Sequence, residues 1–158
     1  MDMLRRSLLK GVGASGVLTA VLAAGLLKPG RVFAAEEWNK AAFDAKDVGA
    51  ALKGLGAGSA ADSKDIVLKA PDIAENGAVV PVEVVSNIPN SVSIAILSQK
   101  NPLPLATSFD FANGALPEVQ VRVRLASTTM VQAVVKTADG KFYTAQKEVK
   151  VTVGGCGG

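Results

Sequence analysis

The chain has 158 residues, with 17 Lys and Arg against 14 Asp and Glu, a single cysteine and no histidine. The usual base of a cysteine hydrolase is therefore missing, and so is the second thiol of a thioredoxin-like oxidoreductase. Residues 1–35 hold Arg5, Arg6, Lys10, Lys28 and Arg31 against Asp2 alone, a net of +4, so the formal +3 of the whole chain leaves about −1 beyond them. A near-neutral remainder without a basic run offers no electrostatic footprint for nucleic acid. That class is excluded.

The first segment is an export signal rather than part of the fold. Arg5, Arg6 and Lys10 form a charged head, Gly11 to Leu27 carry no charge, and Val32-Phe33-Ala34 ends in small residues suited to cleavage after Ala34 or Ala35. Leu4-Arg5-Arg6-Ser7-Leu8-Leu9-Lys10 resembles the twin-arginine signal, with Leu4 and Leu8 departing from its usual Ser/Thr and Phe. The apolar run is shorter than the ~20 residues of a spanning helix. The absence of a cysteine behind it argues against a lipid anchor. The expectation is a periplasmic protein, exported by the twin-arginine route and free of the membrane once cleaved.

Residues 36–62 read as a helix and linker. Trp38, Ala41, Ala42, Ala45, Val48, Leu52 and Leu55 recur near helical spacing, Gly54, Gly56 and Gly58 stop the run, and the Gly-Ala-Gly-Ser-Ala-Ala stretch reads as a connection. Residues 63–153 read as short strands: Ile66–Lys69, Val79–Val85, Val92–Gln99, Leu105–Phe111, Glu118–Leu125, Thr129–Thr137 and Phe142–Val153. The Asp139-Gly140 pair between the last two is a hairpin signal. About seven strands at this spacing predict a mainly β domain, an immunoglobulin-like antiparallel sandwich. Within Val92–Gln99, apolar Val92, Ile94 and Ile96 alternate against Ser91, Ser93 and Ala95 on the other face. Arg122 and Arg124 share the polar face of their strand, where they can hold an anion or simply sit in solvent. The carboxylates Glu83, Asp110, Glu118 and Glu148 are scattered, so no metal and no resident cofactor are expected.

The last five residues, 154–158, are Gly154-Gly155-Cys156-Gly157-Gly158. Glycine pairs on both sides give the backbone unusual freedom, and the only thiol of the chain hangs between them. In an oxidising compartment a lone cysteine pairs with another molecule or stays reactive. A free thiol has a pKa near 8.5, and nothing close in sequence lowers it. At ~3.3–3.6 Å per residue, Cys156 can stand ~10 Å beyond Val153. The thiol thus reads as a handle for other enzymes, and the chain as a non-enzyme.

This tail resembles that of the SoxY family, sulfur carriers of the thiosulfate-oxidising Sox system. The resemblance extends through Ile73-Ala74-Glu75-Asn76-Gly77, Val80-Pro81-Val82, Asn101-Pro102-Leu103-Pro104, Arg122-Val123-Arg124-Leu125 and Asp139-Gly140-Lys141. It implies that Cys156 is the covalent attachment site for thiosulfate-derived sulfur, as a cysteine S-thiosulfonate, with Gly154, Gly155, Gly157 and Gly158 as its arm. It implies these partners: a SoxZ-like subunit in a heterodimer, a c-type cytochrome that loads the carrier, a hydrolase that releases sulfate and a sulfane dehydrogenase. Two other readings stand beside it. One is a ubiquitin-like carrier activated at Gly157-Gly158, which export and a β-rich domain disfavour. The other is an exported structural module that dimerises through an intermolecular disulfide.

Overall fold

Two short helices, not one, open the described part of the chain. The structure, a computed structural model, describes residues 39–153. Helix α1 spans Lys40–Phe43 and α2 spans Val48–Leu55. The continuous helix expected over this region is interrupted by Asp47, whose extended backbone (φ −139°, ψ 159°) ends the preceding turn while its carboxylate accepts the Ala50 N–H at 2.8 Å. An aspartate that satisfies an orphan helix donor is a start signal, and it overrides the apolar spacing that runs through it. Asn39 caps α1 in the same way, and its Nδ2 donates to the Gly54 carbonyl at 2.8 Å, tying the two helices together. Trp38 lies outside the described residues.

Two of the three glycines at the end of α2 have separate jobs. Gly56 adopts the left-handed conformation (φ +78°) and closes the helix with Gly56 N–H to Lys53 O and Ala57 N–H to Leu52 O, a Schellman-type stop. Gly54 lies against α1, and a Cβ built there would stand 2.8 Å from both Cα and N of Ala42. The expected linker is also docked: Ala57 is buried, and Ala61–Asp62 forms a short strand, β1, parallel to the last strand of the domain.

The seven expected strands are all present within a residue or two of their predicted bounds: β2 Ile66–Lys69, β4 Val80–Ser86, β5 Ser91–Ser98, β6 Leu105–Asp110, β7 Glu118–Val123, β8 Thr129–Thr137 and β9 Phe142–Val151. Two-residue strands β1 and β3 (Ile73–Ala74) add to them, too short to show any alternation. Strands β2, β4 and β7 form a three-stranded antiparallel sheet in the order β2-β4-β7. The second sheet runs β1-β9-β8-β5-β6, with β3 also pairing in parallel with β9.

The two sheets close on one core, in which Val80, Val82, Val84 and Val123 face Ile94, Ile96, Val131, Val135 and Val149. The larger sheet is buried on its outer face as well. There Ala95, Leu97 and Val134 pack against Ala42, Ala51 and Ala57. Ala95 thus stands on the face opposite Ile94 and Ile96, as the alternation of β5 predicts, and it is only 3% exposed because the helices lie over that face. The alanines on the helix side of that second interface let helix and sheet come close, and Gly54 gives a similar close approach between the helices.

The β8–β9 hairpin turns at Ala138-Asp139-Gly140, with Gly140 at φ +80°. The Asp139 carboxylate sits 2.8 Å from Lys141 Nζ and is hydrogen-bonded by the Thr137 hydroxyl, and these two contacts, Lys141 first, hold its pKa down to about 2. A carboxylate with a depressed folded pKa contributes stability above its unfolded value that is lost as pH falls through the folded one.

Two outcomes follow from these contacts. Alanine is intrinsically better than glycine within a helix by about 1 kcal/mol, yet Gly54→Ala is expected to destabilise by roughly 1–3 kcal/mol through overpacking on Ala42. The urea midpoint reads the sign directly. Asp139→Asn is expected to lose less of its melting temperature than the parent between pH 5 and pH 2, the window set by the depressed carboxylate.

Candidate functional site

Cys156 and its four flanking glycines lie outside the described residues, so the site is the root from which they leave. That root is the end of β9, and it is held from two sides. Successive N–H groups of a strand point in opposite directions. Accordingly Lys150 N–H and Thr152 N–H turn one way, to Asp72 O at 2.9 Å and Ala74 O at 3.1 Å, whereas Val151 N–H turns the other, to Thr128 Oγ1 at 3.0 Å. The Thr152 hydroxyl donates to Glu75 O at 2.9 Å. Lys147 anchors the same segment further back, donating to Ala70 O at 2.6 Å and lying 3.0 Å from the Asp72 carboxylate.

The last described residue is held too. Gly77 N–H donates to the Val153 carbonyl at 2.8 Å, and Gly77 O accepts from Leu125 N–H at 2.7 Å. Leu125 is fully buried in the core between the sheets. Its flanking backbone is fixed in turn by Asn101, whose Nδ2 donates to Arg124 O at 2.7 Å and whose Oδ1 accepts from Ala126 N–H at 2.9 Å. Asn76 shapes the turn itself, its Oδ1 accepting from Ala78 N–H at 2.8 Å.

Three stretches that are far apart in sequence therefore meet at one place. Ile73-Ala74-Glu75-Asn76-Gly77 grips the strand end, Arg122-Val123-Arg124-Leu125 backs that grip, and Asn101 of Asn101-Pro102-Leu103-Pro104 locks the backing. Of the other two stretches, Val80-Pro81-Val82 pairs with β7 as part of β4, and Asp139-Gly140-Lys141 lies at the opposite end of β9 and makes the hairpin. Sequence reading did not find Asn101, Thr128 or Thr152 as root residues. An asparagine before a proline and threonines at strand ends are the available signals, and they say only that a turn is near.

The root is also apolar at its rim. Ile73, Val79 and Val153 are 59%, 55% and 61% exposed, which sets them apart from the inward-facing Ala74 and Val80 beside them. Arg122 on β7 and Arg124 just after it precede Leu125, both exposed, and among the described residues neither forms an ion pair. Among the described residues no group of three or more acidic or cysteine side chains is placed to hold a metal ion, and no helix is long and apolar enough to cross a membrane.

Fold and root together define a small two-sheet sandwich that holds its own C-terminal strand rigid to within three residues of its only thiol. A family model described as sulfur oxidation protein SoxY matches residues 52–156, the whole sandwich and the cysteine with it. The chain belongs to the SoxY family of sulfur carrier proteins. The solved structure of the sulfur carrier protein SoxY from Chlorobium limicola f thiosulfatophilum is 45% identical, with a TM-score of 0.54, over 61% of this chain and 88% of its own. A superoxide reductase (neelaredoxin) from Ignicoccus hospitalis, 20% identical with a TM-score of 0.50 over 58% of this chain and 82% of its own, shares the fold alone. No curated protein matches.

The contribution of the lock to the root is measurable. Asn101→Ala leaves Arg124 O and Ala126 N–H without their partner and is expected to cost about 1–3 kcal/mol in urea unfolding. It should also speed amide hydrogen exchange at Leu125 more than at Val134, which lies under the helices.

Proposed function

We propose that this chain is a periplasmic carrier that holds thiosulfate-derived sulfur covalently on Cys156 while partner enzymes oxidise it to sulfate. The observation that carries the reading is the rigid root. Strand β9 is gripped as far as Val153, and the family match runs on to Cys156 three residues later. A thiol that must visit several enzymes needs a fixed origin and a limited reach, and ~3.3–3.6 Å per residue gives Cys156 ~10 Å.

The chain itself contributes attachment and presentation. It has no histidine to take the thiol proton, so the base and the oxidant belong to the partners. Loading joins Cys156 sulfur to the sulfane sulfur of thiosulfate with loss of two electrons, which a c-type cytochrome is suited to accept. Hydrolysis by a second partner then releases the terminal sulfone as sulfate, and a sulfane dehydrogenase oxidises the sulfur left on the cysteine. The exposed apolar rim of Ile73, Val79 and Val153 is available to the mouth of any of these enzymes. A SoxZ-like subunit completes the working heterodimer. The twin-arginine leader supports a periplasmic setting for all of them.

Intact mass of the protein purified natively from cells given thiosulfate tests this reading. The expected result is added sulfur-containing mass that reductant removes and that Cys156→Ser abolishes. Repeated preparations with only the free thiol, or only a reductant-sensitive dimer, would overturn it, the dimer in favour of a disulfide-linked structural module.

A further inference from the structure

The two sheets leave one side of the sandwich open between edge strands β6 and β7, since β6 ends one sheet and β7 the other. A cleft of about 400 Å³ lies there, lined by Thr107 on β6, by Val121, Arg122 and Val123 on β7, and by Arg124 and Asn101 beside them. Its lining holds two cations and no carboxylate. Arg122 and Arg124 alternate with Val121 and Val123, so their side chains leave the same face of the strand, about 7 Å apart. A guanidinium presents a planar fork of donors that fits an oxyanion, and two of them at this spacing suit one such group between them.

The position of the cleft relative to the arm narrows the choice of anion. Val153 O is joined to Leu125 N–H through the single residue Gly77, by bonds of 2.8 and 2.7 Å. By backbone dimensions the two ends of that link are at most about 10 Å apart, and Arg124 precedes Leu125 directly. The three residues from Val153 to Cys156 span the same ~10 Å when extended. A negatively charged group on the thiol thus comes within reach of the arginine pair without any movement of the sandwich.

We propose that the cleft at Arg122 and Arg124 is a docking site for the anionic sulfur group carried on Cys156 of the same chain. The inference rests on the carrier reading for its cargo and on the cleft for its place. When the sulfonate docks, it is held against the sandwich and its disulfide-type bond is shielded from stray thiols. A partner enzyme must then draw the arm out, so the cleft makes the loaded carrier selective about who discharges it.

Chemical loading tests this without reliance on loading in the cell. The Cys156 thiolate attacks a divalent sulfur of tetrathionate, forming the Cys–S–S–SO₃⁻ adduct and expelling thiosulfate, with no other oxidant needed. In ¹H–¹⁵N spectra of the mature chain, loading is expected to shift Thr107, Arg122 and Arg124. The double variant Arg122→Gln/Arg124→Gln is expected to lose those shifts and to be discharged by dithiothreitol about two- to tenfold faster, the range set by a pair of exposed charge contacts. Arg122→Lys/Arg124→Lys, which keeps the charge, should lie between the two and stands in if the glutamine variant does not fold. Loading that leaves the cleft signals unchanged, or equal discharge rates in parent and variants, would overturn the proposal. So would the same shifts from equimolar free thiosulfate on Cys156→Ser, which would give the cleft to free oxyanions. An absence of adduct in cells would count against the carrier reading and leave docking of the chemical adduct to be judged by these spectra alone.

Discussion

The end of strand β9 is held by hydrogen bonds on both sides, and the rest of the molecule is arranged to make that possible. On one side are the carbonyls of Asp72, Ala74 and Glu75, and on the other is the Thr128 hydroxyl. An edge strand normally frays because half of its donors and acceptors face water. Here β1 and β3 pair in parallel with two short stretches of the outer edge of β9, and the outward donors at its end, Lys150 and Thr152, are satisfied by Asp72 and Ala74. The Gly77 bridge carries the restraint one residue further, to Val153, and ties it to Leu125 in the core.

That restraint divides the labour of the chain. The sandwich contributes a fixed direction and origin, and the last five residues contribute a thiol and four glycines. The helices matter indirectly, by burying the second face of the sheet that contains β8 and β9. Buried alanines and the Gly54 contact form the centre of that packing, and the larger Phe43, Val48, Leu52 and Leu55 pack around it partly buried.

Much of this was legible in sequence because the strands alternate cleanly. Val119 and Val123 are buried beside exposed Gln120 and Arg122, as period-2 reading requires, and Asp139-Gly140 marks the hairpin it forms. The failures have physical causes. The apolar spacing through Ala45 and Val48 read as one helix because periodicity does not register the capping geometry of Asp47. Ala95 does stand opposite Ile94 and Ile96 as the alternation requires, but one strand cannot reveal that helices cover the sheet's second face. Strands β1 and β3 went unseen because two residues show no period, and their pairing is decided by distant β9. Lone polar residues such as Asn101, Thr128 and Thr152 carry no pattern, and only the fold brings them to the root. The cysteine, in contrast, was conspicuous from composition alone.

Amide hydrogen exchange of the native protein tests the fixed root most directly. Gly77, Lys150, Val151 and Thr152 are predicted to exchange as slowly as the amides of the central β8–β9 ladder. Exchange of those four at the rate of unprotected amides, with the ladder still protected, would contradict the account, because the thiol would then leave from a frayed end.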